Sequence, residues 1–361
     1  MRVVVTGASG NVGTPLLAEL KARPEVDQVV GVVRRPPGPD AGEPYAGVEW
    51  HSADIGHDDL TEAFRGADVV VHLAFLIQPS HRPQLMHDVN VVGTRRVFEA
   101  ADACGARALV VASSMGAYSP GPTSRDEPVD ESWPTDGVEE SIYSRHKAEL
   151  ERALDRLEAR RPDLRVVRIR PGVVFSRRAA AEQSRYFLGP LVPASLLRPG
   201  LLPALPLPDD VRLQLVAADD VARVFADAVT GDLRGGLNVR SEPVLDADGL
   251  AEALGSRRVP LPAGVARAVV EATWRARLQP TDRGWLELGL QLPVMDDAKV
   301  RATGWEPEVA ADDLLREWLD AARAGEGGTS PVLRPRVPAP KRVVQAVRSV
   351  FTGGAGTGPS T

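Results

Sequence analysis

The chain has 361 residues, enough for one large domain or two ordinary ones, and its 43% hydrophobic and 25% charged residues are those of a globular protein. A formal net charge of -6 leaves no basic footprint for nucleic acid, and a single cysteine, Cys104, excludes an internal disulfide and a cysteine zinc cluster. The start, MRVVVTGASG, does not read as a signal peptide, and the longest apolar region (187–208) is broken by prolines and Arg198, so no membrane span is expected and a reducing, cytoplasmic location is.

Strand-like and helix-like runs alternate from the first residues. RVVVT (2–6) precedes PLLAELKA, and QVVGVV (28–33) follows. DVVVHL (68–73) comes after DDLTEAF, ALVVAS (108–113) after GTRRVFEAADAC, and RVVRIR (165–170) after YSRHKAELERALDRLEA. Continuous Val-rich runs suit strands buried on both faces, and the alternation predicts a doubly wound α/β fold with a parallel sheet. The pattern changes after Pro171: residues 176–210 are rich in Pro, Leu and Arg and show no long periodic element. Short α/β signals return in 213–231 and 237–255, and ADDLLREWLDAARA (311–324) is the last strong helix signal. Beyond Gly327 no acidic residue occurs, so 326–361 reads as a flexible basic tail. Three regions follow: a core over 1–175, a second region over 176–325 interleaved with the last core elements at about 211–240, and the tail.

The first strand runs straight into TGASGNVG, with Gly7, Gly10 and Gly13 at the strand-to-helix turn. In that context Gly7 permits the turn, Gly10 lets backbone approach a pyrophosphate, and Gly13 lets the helix pack close. The neighbouring Ser9, Asn11 and Val12 are expected in the same cofactor contact. The bland alternative is a glycine-rich turn with no ligand. Where an acid would bind a free 2′-hydroxyl, the second strand offers Arg34 and Arg35. Guanidinium forks suit a 2′-phosphate, which favours NADP over NAD, although the pair also reads as two solvated arginines before PPGP. Asp54, with Ile55 beside it, is placed to meet the adenine or to cap a nearby helix. Leu73 and the small Ala74 in HLAF let the cofactor pass close to the chain.

The fifth strand delivers Ser113 and Ser114 to the carboxyl edge of the sheet, where open α/β sheets bind ligands. SIYSRHKAELE then sets Tyr143 and Lys147 four apart on one helical face, and Leu150, Leu154 and Leu157 continue that face. The stripe turns the pair inward. A nearby ammonium favours phenolate, so Lys147 is expected to lower the Tyr143 pKa and fit it for acid–base work.

These segments together resemble the extended branch of the short-chain dehydrogenase/reductase superfamily, the NAD-dependent epimerase/dehydratase group. The matching stretches are TGASGNVG, HLAF, NVVGTRRVFEAA with Asn90, SSMGAY with Ser114, YSRHK with Tyr143 and Lys147, RIRPGVVF, LVAADDVA and TGWEP. The resemblance spans residues 1 to about 325. It implies a Rossmann core with a small C-terminal substrate-binding region and an NAD(P)-dependent enzyme. Tyr143 would be the acid–base, Lys147 the ribose anchor and Ser114 the ligand of the substrate oxygen. Asn90, Pro171 and Val173 would join the cofactor contacts, with 171–174 along the nicotinamide. The chain departs from the sugar-nucleotide epimerases: LQLPVMDDAKVRATGWEP lacks their basic, Gly-Asp-containing diphosphate segment, and 187–208 is apolar. Both features favour an apolar carbonyl or secondary alcohol over a nucleotide sugar. A nucleotide-sugar epimerase or dehydratase, and a non-catalytic NAD(P)-binding regulator, are the alternatives.

Six histidines show no ligand spacing, so no metal is expected, and His146 is placed on the outer side of its helix. The acidic stretch 125–141 reads as a solvated loop over the site. In the tail, PKRVVQAVRSVF (340–351) is a basic amphipathic segment, read either as disordered or as a membrane-surface or partner contact. A homodimer is a further expectation.

Overall fold

The structure, a computed structural model, describes residues 1–77, 82–187, 200–201 and 203–335. The first half runs β1 (Arg2–Thr6), α1 (Gly13–Lys21), β2 (Gln28–Val33), β3 (Glu49–Ser52), α2 (Thr61–Phe64), β4 (Val69–His72) and α3 (Pro83–His87). A π-helical turn, Asp88–Gly93, leads into α4 (Thr94–Ala103), β5 (Ala108–Ala112), β6 (Pro128–Val129), α5 (Ile142–Arg160) and β7 (Arg165–Pro171). The second half runs β8 (Val173–Phe175), α6 (Ala180–Phe187), β9 (Ala204–Leu207), β10 (Leu215–Ala217), α7 (Ala218–Thr230), β11 (Gly235–Val239) and α8 (Ala247–Ala253). It ends with β12 (Arg257–Pro260), α9 (Ala263–Arg275), α10 (Arg283–Gln291), β13 (Val294–Met295), α11 (Ala298–Arg301) and α12 (Ala311–Ala324).

Seven strands form one sheet in the order β11-β7-β5-β4-β1-β2-β3, every neighbouring pair parallel. Alternate residues of each strand feed opposite faces, as the pleat requires. Val3 and Val5 pack with Leu16, Leu17 and Leu20 of α1 and Val221, Phe225 and Val229 of α7. Val4 faces the other way, into a layer with Phe64, Val97, Phe98 and the α5 leucines Leu150, Leu154 and Leu157. Burying each of those leucines stabilises the helix on the sheet by ~2 kcal/mol. The Ser141 hydroxyl caps α5 by accepting the Ser144 N–H at 3.3 Å. The strand order reverses between β1 and β4, so their carboxyl ends flank the crevice in which such sheets take ligands.

A third core builds the C-terminal region around the separate two-stranded β8–β10 pair. Leu215 and Phe175 from β10 and β8 pack with Leu314, Leu315, Trp318 and Leu319 of α12, and Phe175 stacks on Trp318 at 4.6 Å. Trp305 of the GWEP segment docks on α7, its indole N–H donating to the Asp220 carbonyl at 3.0 Å.

Three expectations need correction. Residues 176–210 do contain a helix, α6, whose buried face is covered by tertiary packing against α12. The stretch 125–141 is anchored: β6 pairs with β13, Val138 is fully buried, and the Glu131 carboxylate accepts the Asn238 N–H. The flexible tail does not begin at 326, because Ser330 and Leu333 are fully buried. The amphipathic segment 340–351 lies outside the described residues.

Candidate active site

The glycine loop sits at the end of β1. Gly7 has φ +74°, and a Cβ there would come within 2.8 Å of the Ala74 nitrogen; at Gly13 it would come within 2.5 Å of the Gly7 carbonyl oxygen. Side chains at either position would collide with the protein's own backbone, so the tight turn and the close start of α1 need glycine there. Ser9 is buried, and Val12 packs on the α1/α7 core. Asn11 ties the loop to the far side of the crevice, donating to the Val174 carbonyl (3.0 Å) and accepting from the Ser176 hydroxyl (2.6 Å). The loop is thereby tied to the end of β8, while Pro171 and Val173 flank the β7–β8 junction, paired with Val239 and Leu215.

Along the crevice wall, the Leu73 N–H donates to the Thr6 carbonyl at 3.0 Å, which places Ala74 against the loop. Asn90 is fully buried and pairs both ends of its amide with the Leu76 backbone, at 2.7 and 3.0 Å. It therefore positions the chain after β4 from beneath. Arg34 and Arg35 stand exposed just past β2. Asp54 makes a local turn, its carboxylate accepting the Gly56 N–H at 2.9 Å, and Ile55 belongs to the core.

Ser114, Tyr143 and Lys147 converge at the carboxyl end of β5. Ser114 caps a short 3-10 turn, accepting the Gly116 N–H at 2.9 Å. Gly116 is required by the phenol itself: a Cβ there would lie 2.7 Å from Tyr143 Cε1. Lys147 is buried, donates to the Ala112 carbonyl at 2.7 Å, and holds its ammonium 3.8 Å from the centre of the Phe75 ring. The Tyr143 ring meets Phe75 edge-on at 5.6 Å and Trp285 of α10 at 5.2 Å, and Phe187 abuts Trp285 in turn.

The electrostatics of this cluster differ from the expectation. Burial pushes the Tyr143 phenol up to about 12, opposed only by the Ser114 hydroxyl. Burial also pulls Lys147 down to about 7, with the Glu151 carboxylate opposing. Burial of both groups therefore governs their pKa values, in the direction opposite to the one expected for the phenol.

Several neighbours carry roles that the sequence reading passed over. Glu151, one turn beyond Lys147, is fully buried and receives Arg170 through two hydrogen bonds (2.9 and 3.0 Å), Arg168 (3.1 Å) and the Ser113 hydroxyl (2.5 Å). Arg170 continues to the Tyr118 hydroxyl, which donates to Asn238. The signal was present: two arginines two apart in a strand buried on both faces need a common acid. His72, at the end of β4, is bonded to the hydroxyls of Thr6 (2.7 Å) and Thr94 (2.9 Å). Burial holds it neutral, down to about 3. His146 is buried as well, its ring 5.6 Å from that of His87, since α3 covers the face expected to be open.

The model of the NAD dependent epimerase/dehydratase family matches residues 3–235. The chain belongs to the NAD-dependent epimerase/dehydratase family. Similar proteins include an uncharacterised protein of Mycobacterium tuberculosis, 27% identical over 355 residues, which are 92% of this chain and 86% of that one. The decarboxylating sterol-4-alpha-carboxylate 3-dehydrogenase of Saccharomyces cerevisiae is 32% identical over 133 residues, 36% of this chain and 37% of its own. Among solved structures, the UDP-glucose 4-epimerase of Thermus thermophilus in complex with NAD aligns with a TM-score of 0.63 and 25% identity, covering 90% of this chain and 99% of that one. This family member is thus an enzyme with an NAD(P)-binding Rossmann core. Its own residues fit the dinucleotide: a glycine turn that admits no side chain at Gly7 or Gly13 leads from the end of β1 into the N-terminus of α1, where backbone N–H groups suit a pyrophosphate.

Proposed function

We propose that the protein is an NADP-preferring oxidoreductase acting on the carbonyl or secondary-alcohol carbon of a rather apolar small molecule. The observation that carries this reading is the setting of the Tyr143 phenol between Phe75 and Trp285, with Phe187 beyond. Such walls favour an apolar body next to the reacting oxygen. The partial similarity to a sterol dehydrogenase agrees with it. The exposed arginines Arg34 and Arg35, with no acid in their place, support the 2′-phosphate form.

Bound cofactor supplies or accepts the hydride. Ser114 holds the substrate oxygen beside the phenol. Tyr143, protonated throughout the neutral range, gives its proton to that oxygen in reduction. Lys147 spends one N–H on Ala112 and keeps donors for a ribose hydroxyl. Glu151 and its two arginines hold the base of α5 in register with β7.

A second reading, a nucleotide-sugar epimerase or dehydratase, has its own support. The sequence reading did not count Arg125 and Arg212: burial, and then the Arg212 charge, hold the Arg125 pKa below the usual arginine value, and Arg212 is itself paired with Asp126 at 2.9 Å. Their segments meet the C-terminal half of α10: the Arg212 N–H donates to the Gly289 carbonyl, and the Gly121 N–H to that of Gln291. Paired guanidiniums suit a diphosphate. The test is a turnover panel of apolar ketones, aldehydes and secondary alcohols with NADPH and NADH, beside thermal shift with UDP-sugars in the presence of cofactor. Turnover on the panel, with tighter NADPH binding that is lost in Arg34→Ala/Arg35→Ala, is the expected result. Saturable stabilisation by a UDP-sugar, with no turnover on the panel, reverses the ranking.

A further inference from the structure

The segment that follows α12 lies outside the residues matched by the family model and returns to the first glycine loop of the chain. Gly325, left-handed at φ +70°, ends α12 and turns the backbone. Glu326 then fastens to the start of α6: its carboxylate receives the Arg177 guanidinium through two bonds (3.2 and 2.7 Å), and its carbonyl accepts the Ala181 N–H at 3.0 Å. Gly327 and Gly328 let the strand fold on itself, since a Cβ at Gly327 would lie 2.4 Å from the Leu333 oxygen. At the tip, the fully buried Ser330 donates its hydroxyl proton to the Ser9 carbonyl at 2.8 Å and accepts the Leu333 N–H at 3.3 Å. Leu333 is fully buried beneath it, and the Arg334 carbonyl accepts from Arg185 of α6 at 3.5 Å.

We propose that residues 326–335 are a clasp on the phosphate-binding loop, and that clasp docking and dinucleotide binding reinforce each other. The loop is gripped from two sides, Asn11 by Val174 and Ser176, and Ser9 by Ser330. Ser330 engages a carbonyl, a group that repels a pyrophosphate, so clasp and cofactor do not compete for one partner. The clasp also fixes α6, through the Glu326 contacts with Arg177 and Ala181 and the Arg334 carbonyl on Arg185. Loop, clasp and α6 are thereby tied into one packed unit. A bound dinucleotide immobilises the loop against which the clasp packs, and the packed clasp slows cofactor escape.

The inference needs NAD(P) binding but no choice of substrate, so it stands or falls apart from the reading above. The test compares four forms of the whole protein: the parent chain, the chain ending at Pro335, the chain ending at Gly325, and Ser330→Ala. Fluorescence titration gives the dissociation constant of NADPH or NADH, whichever binds the parent more tightly, and stopped flow gives its release rate. Ending at Pro335 should change neither. Ending at Gly325 should raise the release rate at least about tenfold, and Ser330→Ala, with a parent-like melting temperature, about fivefold, the worth of one hydrogen bond. Hydrogen exchange of amides 327–335 in the parent should slow when cofactor is added. If the shorter chain fails to fold, Ser330→Ala and the exchange experiment decide. Parent-like release in Ser330→Ala together with unchanged exchange overturns the proposal.

Discussion

Replacing Lys147 with methionine isolates the cost of the buried ammonium. The side chain keeps its length, the Ala112 carbonyl loses its donor, and the charge is gone. In the ligand-free protein the Lys147 pKa falls from 10.5 to about 7 because burial disfavours the ammonium. Between those values the unfolded chain holds a proton that the folded chain has released. Stability of the parent therefore rises with pH across that window relative to the methionine variant, and the full penalty applies below it. Each pH unit inside the window is worth ~1.4 kcal/mol. Urea unfolding followed by tryptophan fluorescence should show the parent gaining about 3 kcal/mol on the variant between pH 7 and 9.5. At acid pH the variant should be the more stable of the two. A difference that stays flat with pH would mean that Lys147 holds an ordinary pKa, and the account of a desolvated site would fail.

Other expectations are as direct. Tyr143→Phe should lower turnover by roughly a hundredfold or more with cofactor affinity preserved, and Ser114→Ala should cost less; parent-like turnover in a folded Tyr143→Phe protein removes the phenol from the chemistry. Gly13→Ala drives a methyl into the Gly7 carbonyl, so fluorescence titration should show dinucleotide binding weakened by at least about tenfold, whereas normal affinity would contradict the cradle. Glu151→Gln leaves the buried Arg170 guanidinium short of an anion, while Arg168 keeps Asp155 and Glu158, and should destabilise the fold by about 3–5 kcal/mol in urea titration. A midpoint equal to the parent's would show that the network is dispensable.

The parallel sheet was legible because strands covered on both faces must be apolar without interruption, and QVVGVV became β2 residue for residue. The α12 boundaries were equally plain, since a long amphipathic helix carries its own signal. What depended on distant partners was not legible. The helix α6 hides in a Pro- and Arg-rich stretch and is buried by α12, and the strands β6 and β13 are two residues each and exist through their pairing. In the site, the spacing of Tyr143 and Lys147 read correctly as one inward face, but not which effect would govern their pKa values. Charge proximity is visible in a sequence; desolvation by Phe75 and Trp285 is not. Arg168 and Arg170 could have been traced to Glu151, because a cation on a buried strand demands an acid nearby.

The contact between Ser330 and Ser9 joins residues 321 positions apart in the chain. During synthesis the first strands and helices leave the ribosome long before residue 330 exists, and they can pair as they emerge. The glycine loop is then formed but held from only one side. Loop closure over that span comes last and carries the entropy of the longest separation. A nascent or truncated chain would thus own a recognisable nucleotide fold while retaining its ligand poorly. On the clasp proposal, cofactor retention reports whether the chain has passed residue 335.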